Sequence, residues 1–225
     1  MNPIVEQEER TPKQIFHHWL EIVILAILFA LILRAYVFQG YKIPTIAMEN
    51  TLFKGDYAIG EKITYKIRKP KRGEIVVFRY PLNPDKIFIK RCVGVAGDTV
   101  VVRDKVLYIN GNAVPDYPGV KYTDPELLSA IYSSRDNCGP IIVPYGYIFV
   151  MGDNRDKSSD SRFWGSLPLK NVDSRLLFIY FSLEPDNYTL EKKSIFNIIR
   201  VILHKIVTFP IRIRWHRIGK FIEKL

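Results

Sequence analysis

GEIVVFRYPLNPDKIFIKRCVGV, residues 73–95, decides the fold. Two runs rich in Val, Ile and Phe, GEIVVFRY (73–80) and KIFIKRCVGV (86–95), flank Pro81, Asn83, Pro84 and Asp85, residues that bound strands. Outward from there the same composition recurs in DTVVVRDKVLYI (98–109), YIFVMG (147–152) and RLLFIYFSL (175–183), each bounded by Gly, Pro, Asn or Asp. Asn110-Gly111 is the signal of a tight hairpin turn. No long amphipathic helix interrupts these runs, so the spacing predicts a mainly β, antiparallel body. Residues 114–144 are looser, with Pro, Gly, Ser and several Tyr, and read as an insertion or a small second lobe.

Within the opening stretch, alternation places Phe88, Lys90 and Cys92 on one face and Ile87, Ile89, Arg91 and Val93 on the other. A lysine between Phe and Cys can be pressed against apolar surface. Desolvation then disfavours the ammonium, lowers its pKa and makes a neutral amine available as a base. A lone strand lysine more often snorkels into water. The residue alone does not decide between them.

The chain has 225 residues, 48% of them apolar, which excludes bulk disorder. Its net charge of +10 is uneven: nine basic and two acidic residues give 191–225 a charge of +7, leaving +3 for everything before it. A basic protein invites a nucleic-acid reading, but charge confined to an apolar-rich tail points first to an anionic membrane surface. In that tail Ile195, Ile198, Ile199, Ile202, Ile206 and Phe209 recur at helical spacing. Pro210 breaks the pattern, and Trp215, Ile218, Phe221, Ile222 and Leu225 start a second stripe beside Arg214, Arg217, Lys220 and Lys224. Two helices lying in the membrane interface are predicted, the alternative being a helix packed on the β body. Cys92 and Cys138 pair only if their Cα atoms lie close enough. No Cys or His spacing suits zinc, and neither metal nor organic cofactor is implied.

Residues 19–38 are apolar except for Glu21 and Arg34 near the ends, about the 20 residues that cross a bilayer. A cleaved export signal is the competing reading. The long run and the lack of a small-residue cleavage site favour a retained anchor. Basic residues on its two flanks are too evenly matched to set its direction.

Four ordered segments carry a resemblance: IPTIAMENTL (43–52), RGEIVVF (72–78), FIKRCVGVAGD (88–98) and GDNRDKSSDSRFWG (152–165). Together they resemble the bacterial type I signal peptidases, membrane-bound serine proteases that remove signal peptides from exported proteins. The resemblance implies an antiparallel β catalytic body with an N-terminal transmembrane helix and a basic amphipathic helical C-terminal tail. Domains are then expected at 1–18 (flank), 19–38 (anchor), 39–190 (Ser/Lys protease) and 191–225 (membrane-surface tail). It also implies a single-pass protein of the bacterial plasma membrane with its catalytic domain outside. Lys90 becomes the general base of a Ser–Lys dyad, the surrounding motif outweighing the snorkelling reading. Ala47 occupies the nucleophile position, which is serine in the family, and Met48 packs beside it. If the segment is extended, Thr45 and Ala47 share a side. The Thr45 hydroxyl and the residue 47 N–H are assigned to the oxyanion hole. Ser158 orients the Lys90 amine, Asp160 and Arg162 pair to fix the loop, and Gly152 permits close backbone approach. Lys157 departs from the family's asparagine.

Alanine has no Oγ, so the acyl-enzyme route is closed in this chain. Retention of every other part favours a deliberate nucleophile-to-alanine change over natural loss. The alternative is a naturally inactive signal-peptide-binding paralogue. Expected partners are signal-peptide-bearing preproteins, whose strand adds alongside 43–48, and anionic lipids through the tail; nucleic acid is not expected.

Overall fold

The computed structural model describes residues 11–186 and 195–222. The expected boundary at 190/191, residues 1–10 of the flank and residues 223–225 of the tail lie outside the described residues. The chain divides into two units, Met1–Phe38 and Gln39–Leu225.

Among the described residues of the first unit there is one helix, α1 (Pro12–Tyr36). Pro12 opens it, and the Thr11 N–H donates to the Gln14 side chain at 2.8 Å, the reciprocal half of a capping box. None of its residues is buried, and it is apolar enough to cross a membrane. Its 25 residues span about 37 Å. The helix starts seven residues before the expected span, because the cap lies beyond the purely apolar run. It ends at Tyr36, and Phe38 already belongs to a strand.

Among the described residues, eleven strands from Phe38 onward form two sheets. In chain order they are β1 (Phe38–Lys42), β2 (Asp56–Glu61), β3 (Ile75–Tyr80), β4 (Asn83–Val95), β5 (Thr99–Arg103) and β6 (Val106–Ile109), then β7 (Asn112–Ala113), β8 (Cys138–Ile142), β9 (Tyr147–Met151), β10 (Leu167–Pro168) and β11 (Val172–Ser182). The larger sheet runs β1-β2-β11-β3-β4-β9-β10 and the smaller β7-β6-β5-β8. Short helices α2 (Thr64–Ile67) and α3 (Ser161–Trp164) and the longer α4 (Ile195–Thr208) complete the fold.

The stretch 73–95 is a hairpin: Tyr80 pairs with Asn83, so Pro81 and Leu82 make the turn. β3 is buried on both faces. Ile75 and Val77 join a core with Tyr41, Ile43, Met48 and Leu52, while Val76 and Phe78 join another with Cys92, Ile148 and Val150. Residues 98–109, expected as one strand, fold into two. Asp104 and Lys105 take left-handed backbone at φ 48° and 70° and turn the chain back. Asn110-Gly111 makes the expected tight turn, with Ile109 facing Asn112. The smaller sheet spans Thr99 to Ile142, and three of its four strands precede residue 114.

Cys92 and Cys138 are free thiols, and burial pushes the Cys92 thiol up to about 12. The second amphipathic stripe is not a helix. After α4 the chain turns, forms bridges Leu183–Ile213 and Phe178–Phe221, and makes one short turn at Trp215–Arg217. Arg217 is buried against Asp56, and Ile222 enters the core of the large sheet. Specific burial of one arginine and one isoleucine overrides the helical spacing.

Candidate active site

Antiparallel register sets Lys90 opposite Val76 and Arg91 opposite Ile75, so these neighbours leave β4 on opposite faces. Lys90 is 4% exposed. Its Nζ donates to Ser158 Oγ at 2.8 Å and lies 5.8 Å from the Phe88 ring centroid. No carboxylate forms an ion pair with it among the described residues. Burial outweighs the more distant pull of Asp160 and Asp153 and brings the amine down to about 8.

Residues 43–52 are pinned at both ends. Ile43 donates its N–H to Asp56 O at 2.8 Å, and Met48 and Leu52 are buried in the core. Between them residues 45–50 form a bend and a turn, closed by Glu49 N–H to Ile46 O at 3.1 Å and Leu52 N–H to Met48 O at 2.7 Å. The segment is therefore not extended, and the argument from strand alternation for Thr45 and Ala47 does not apply. Thr45 is exposed and Ala47 half-buried; both line one cleft with Lys90. That cleft has a volume of about 620 Å³.

The loop after β9 closes the site. Gly152 passes between Ala47 and Ser158: a Cβ there would stand 2.6 Å from the Ala47 carbonyl oxygen and inside the Ser158 side chain. The Gly152 N–H donates to Asp160 Oδ2 at 2.9 Å. Arg162 grips the same carboxylate through Nε at 2.8 Å and Nη2 at 2.9 Å. Burial pushes the Asp160 carboxyl up, but Arg162 more than offsets it and leaves the group below the ordinary carboxylate range. Met48 Sδ accepts the Asp153 N–H at 3.4 Å. Lys157 and Ser159, both exposed, stand on the cleft wall.

Ala47, Lys90, Thr45, Ser158, Met48, Gly152, Asp160 and Arg162 thus come together from three separated segments. Three contacts went unread in the sequence. Arg91 pairs with Asp153 at 2.7 and 2.9 Å, and Thr51, fully buried, donates its hydroxyl to the same carboxylate at 2.5 Å. Thr51 therefore faces away from the cleft chemistry. Asn154 donates its backbone N–H to Ala47 O and its Nδ2 to Ile46 O, each at 3.1 Å. An Asn inside a dense Asx-rich string was the available signal, but its reach to residue 46 was not visible.

The family model described as "Signal peptidase, peptidase S26" matches residues 16–181. The chain belongs to this family. Signal peptidase I of Aquifex aeolicus is 32% identical over 88% of this chain and 94% of its own length. Signal peptidase I of Bacillus licheniformis is 32% identical over 79% of this chain and 95% of that one. A crystal structure of a signal peptidase I from Enterococcus faecalis is 33% identical, covers 48% of this chain and 97% of that chain, and has a TM-score of 0.36. Members of the peptidase S26 family are serine peptidases that process signal peptides, and residues 182–225 lie beyond the part of this chain that the family model matches.

Proposed function

We propose that this chain is a signal peptidase I: a single-pass membrane serine endopeptidase, catalytic domain outside the plasma membrane, that removes signal peptides from exported preproteins with a Ser–Lys dyad. The arrangement is a flank at 1–18, an anchor near 19–38, a protease body from 39 and a membrane-surface tail whose lipid-facing part is α4. Exposed Phe196, Ile199, Ile202 and Ile206 support that face, and Lys205 beside them suits anionic headgroups. The observation that carries the proposal is Lys90: an amine 4% exposed, hydrogen-bonded to a neutral hydroxyl and lining the same cleft as residue 47.

With serine at 47, its Oγ attacks the scissile carbonyl carbon and its proton passes to the neutral Lys90 amine. The Thr45 hydroxyl and the residue 47 N–H receive the oxyanion. As the tetrahedral intermediate collapses, the departing amine takes the proton from Lys90. Lys90 then deprotonates the water that releases the signal peptide from Oγ. Ser158 keeps the amine aimed throughout, and Asp160 with Arg162 fixes the loop carrying Ser158. The substrate lies extended along the cleft walls formed by residues 39–44 and 86–90. With alanine at 47 the chain binds and does not cut. Retention of the other parts supports a nucleophile-to-alanine change.

Ala47→Ser tests this. Assayed on a preprotein with small residues at −3 and −1, the variant cleaves on the order of 10⁶-fold faster than the present chain, the scale of nucleophile loss in a serine protease. A restored serine that binds the preprotein without cutting it overturns the protease reading and leaves a signal-peptide-binding paralogue.

A further inference from the structure

The cleft around Ala47 and Lys90 is lined by sixteen residues, and none is Asp or Glu. Four are lysines. Lys90 is enclosed, whereas Lys42, Lys86 and Lys157 are exposed on the rim. Among the described residues none of these three forms a hydrogen bond or ion pair; Lys42 lies 5.8 Å from the Tyr57 ring centroid. Between them the walls are apolar, from Ile43 and Met48 on one side to Ile87 and Ile89 on the other. Cations around a low-dielectric channel focus their field into it, and no carboxylate of the lining dilutes that field. An extended peptide lying there meets three unneutralised positive charges.

We propose that this cleft selects preproteins carrying acidic residues close to the cleaved bond. The inference rests on the signal peptidase reading and adds a charge preference to it. Lys157 immediately precedes Ser158, the partner of Lys90, and lines the same cleft. Lys86 precedes Lys90 by four residues in β4, where the pairing with β3 is irregular, and lines the same cleft. Acidic side chains flanking the cleaved bond would meet these lysines. Lys42, at the end of β1, lines the same channel.

The chain as it stands supplies the test, because alanine at 47 permits binding without turnover. Fluorescent peptides share small residues at −3 and −1 and differ only in carrying Asp, Ala or Lys at the flanking positions. In a neutral detergent the Asp peptide binds about five-fold tighter than the Lys peptide, the scale of one or two exposed ion pairs. Raising salt shrinks the gap. Lys157→Glu and Lys86→Glu each narrow the preference, and together they reverse it. Equal affinity for the Asp and Lys peptides overturns the charge preference and leaves the signal peptidase reading intact. Failure to bind any of the three overturns both. A preference unchanged by the two substitutions, with lost binding to phosphatidylglycerol vesicles instead, assigns these lysines to the membrane and also overturns it.

Discussion

Lys90 in the cleft and Asp56 beneath the C-terminal segment are both buried charged side chains, and the molecule treats them oppositely. Asp56, with no exposed surface, accepts from Phe53 N–H at 2.8 Å, Ser182 Oγ at 2.6 Å, Arg214 Nη2 at 3.3 Å and Arg217 Nη2 at 2.6 Å. Arg217 also lies 4.2 Å from the Phe53 ring centroid and donates to Thr51 O at 2.9 Å. Lys90 has one neutral hydroxyl and the Phe88 ring. A buried carboxylate met by two guanidiniums holds structure. A buried amine denied a carboxylate contact holds its proton less tightly, which is what the proposed base requires. The two regions are joined through Thr51, which ties the tail's anchor to Asp153 and Arg91, next to Lys90 on β4.

The contrast breaks most readily at the tail. Arg217→Met leaves the Asp56 carboxylate buried with only part of its compensation, and removing one partner of such a pair costs about 3–5 kcal/mol. Urea unfolding of the variant against the parent reads this directly. A loss below about 1 kcal/mol, the worth of an exposed pair, would show that the dock is solvated and that Asp56 is not the counterpart of Lys90.

At Lys90 the sign is opposite. Its folded-state value of about 8 lies below the ordinary 10.5, so below pH 8 the fold carries the full cost of charging a buried amine. Between pH 8 and 10.5 the unfolded chain binds the extra proton, and stability rises as pH increases. The cost at neutral pH is about 3 kcal/mol at 1.36 kcal/mol per unit. Lys90→Met removes the charge while keeping the apolar stem. It is therefore expected to stabilise the protein at pH 7 and to flatten the slope between pH 8 and 10.5, in unfolding experiments across that range. A slope unchanged by the substitution would place the titration on another group.

How much of this was legible follows from the distance over which each feature is decided. The face shared by Phe88, Lys90 and Cys92 is a property of one strand, and alternation gives it. The Asn110-Gly111 turn is equally local. The turn at Asp104-Lys105 was missed because neither residue is glycine, although aspartate tolerates left-handed backbone. Thr45 and Ala47 lie in a turn rather than a strand because Met48 and Leu52 must reach the core, a demand made by packing rather than by local sequence. Residues 210–222 kept a helical period, yet Arg217 answers to Asp56, 161 positions earlier. The pairing of Lys90 with Ser158 across 68 positions came from the motif, not from any pattern in the strands.

The smallest effect sharpens the cleft side of the comparison. The Ile46 carbonyl and the residue 47 N–H belong to one planar trans peptide and point in opposite directions. By holding Ile46 O at 3.1 Å, Asn154 Nδ2 fixes where the residue 47 N–H aims, and that N–H is the proposed oxyanion donor. Asn154 is thus a positioning residue that touches no substrate. In an Ala47→Ser background, Asn154→Ala keeps the backbone bond to the residue 47 carbonyl and loses only the side-chain tether. A donor left in place but free to rock should cost about ten-fold, less than the 10²–10³ of losing a donor outright. The loss should fall on kcat with KM unchanged, because the oxyanion forms only after substrate is bound. A rise in KM at constant kcat would instead make Asn154 a support for the cleft wall. An unchanged kcat would mean that the turn closed by Glu49 and Leu52 orients the peptide without it.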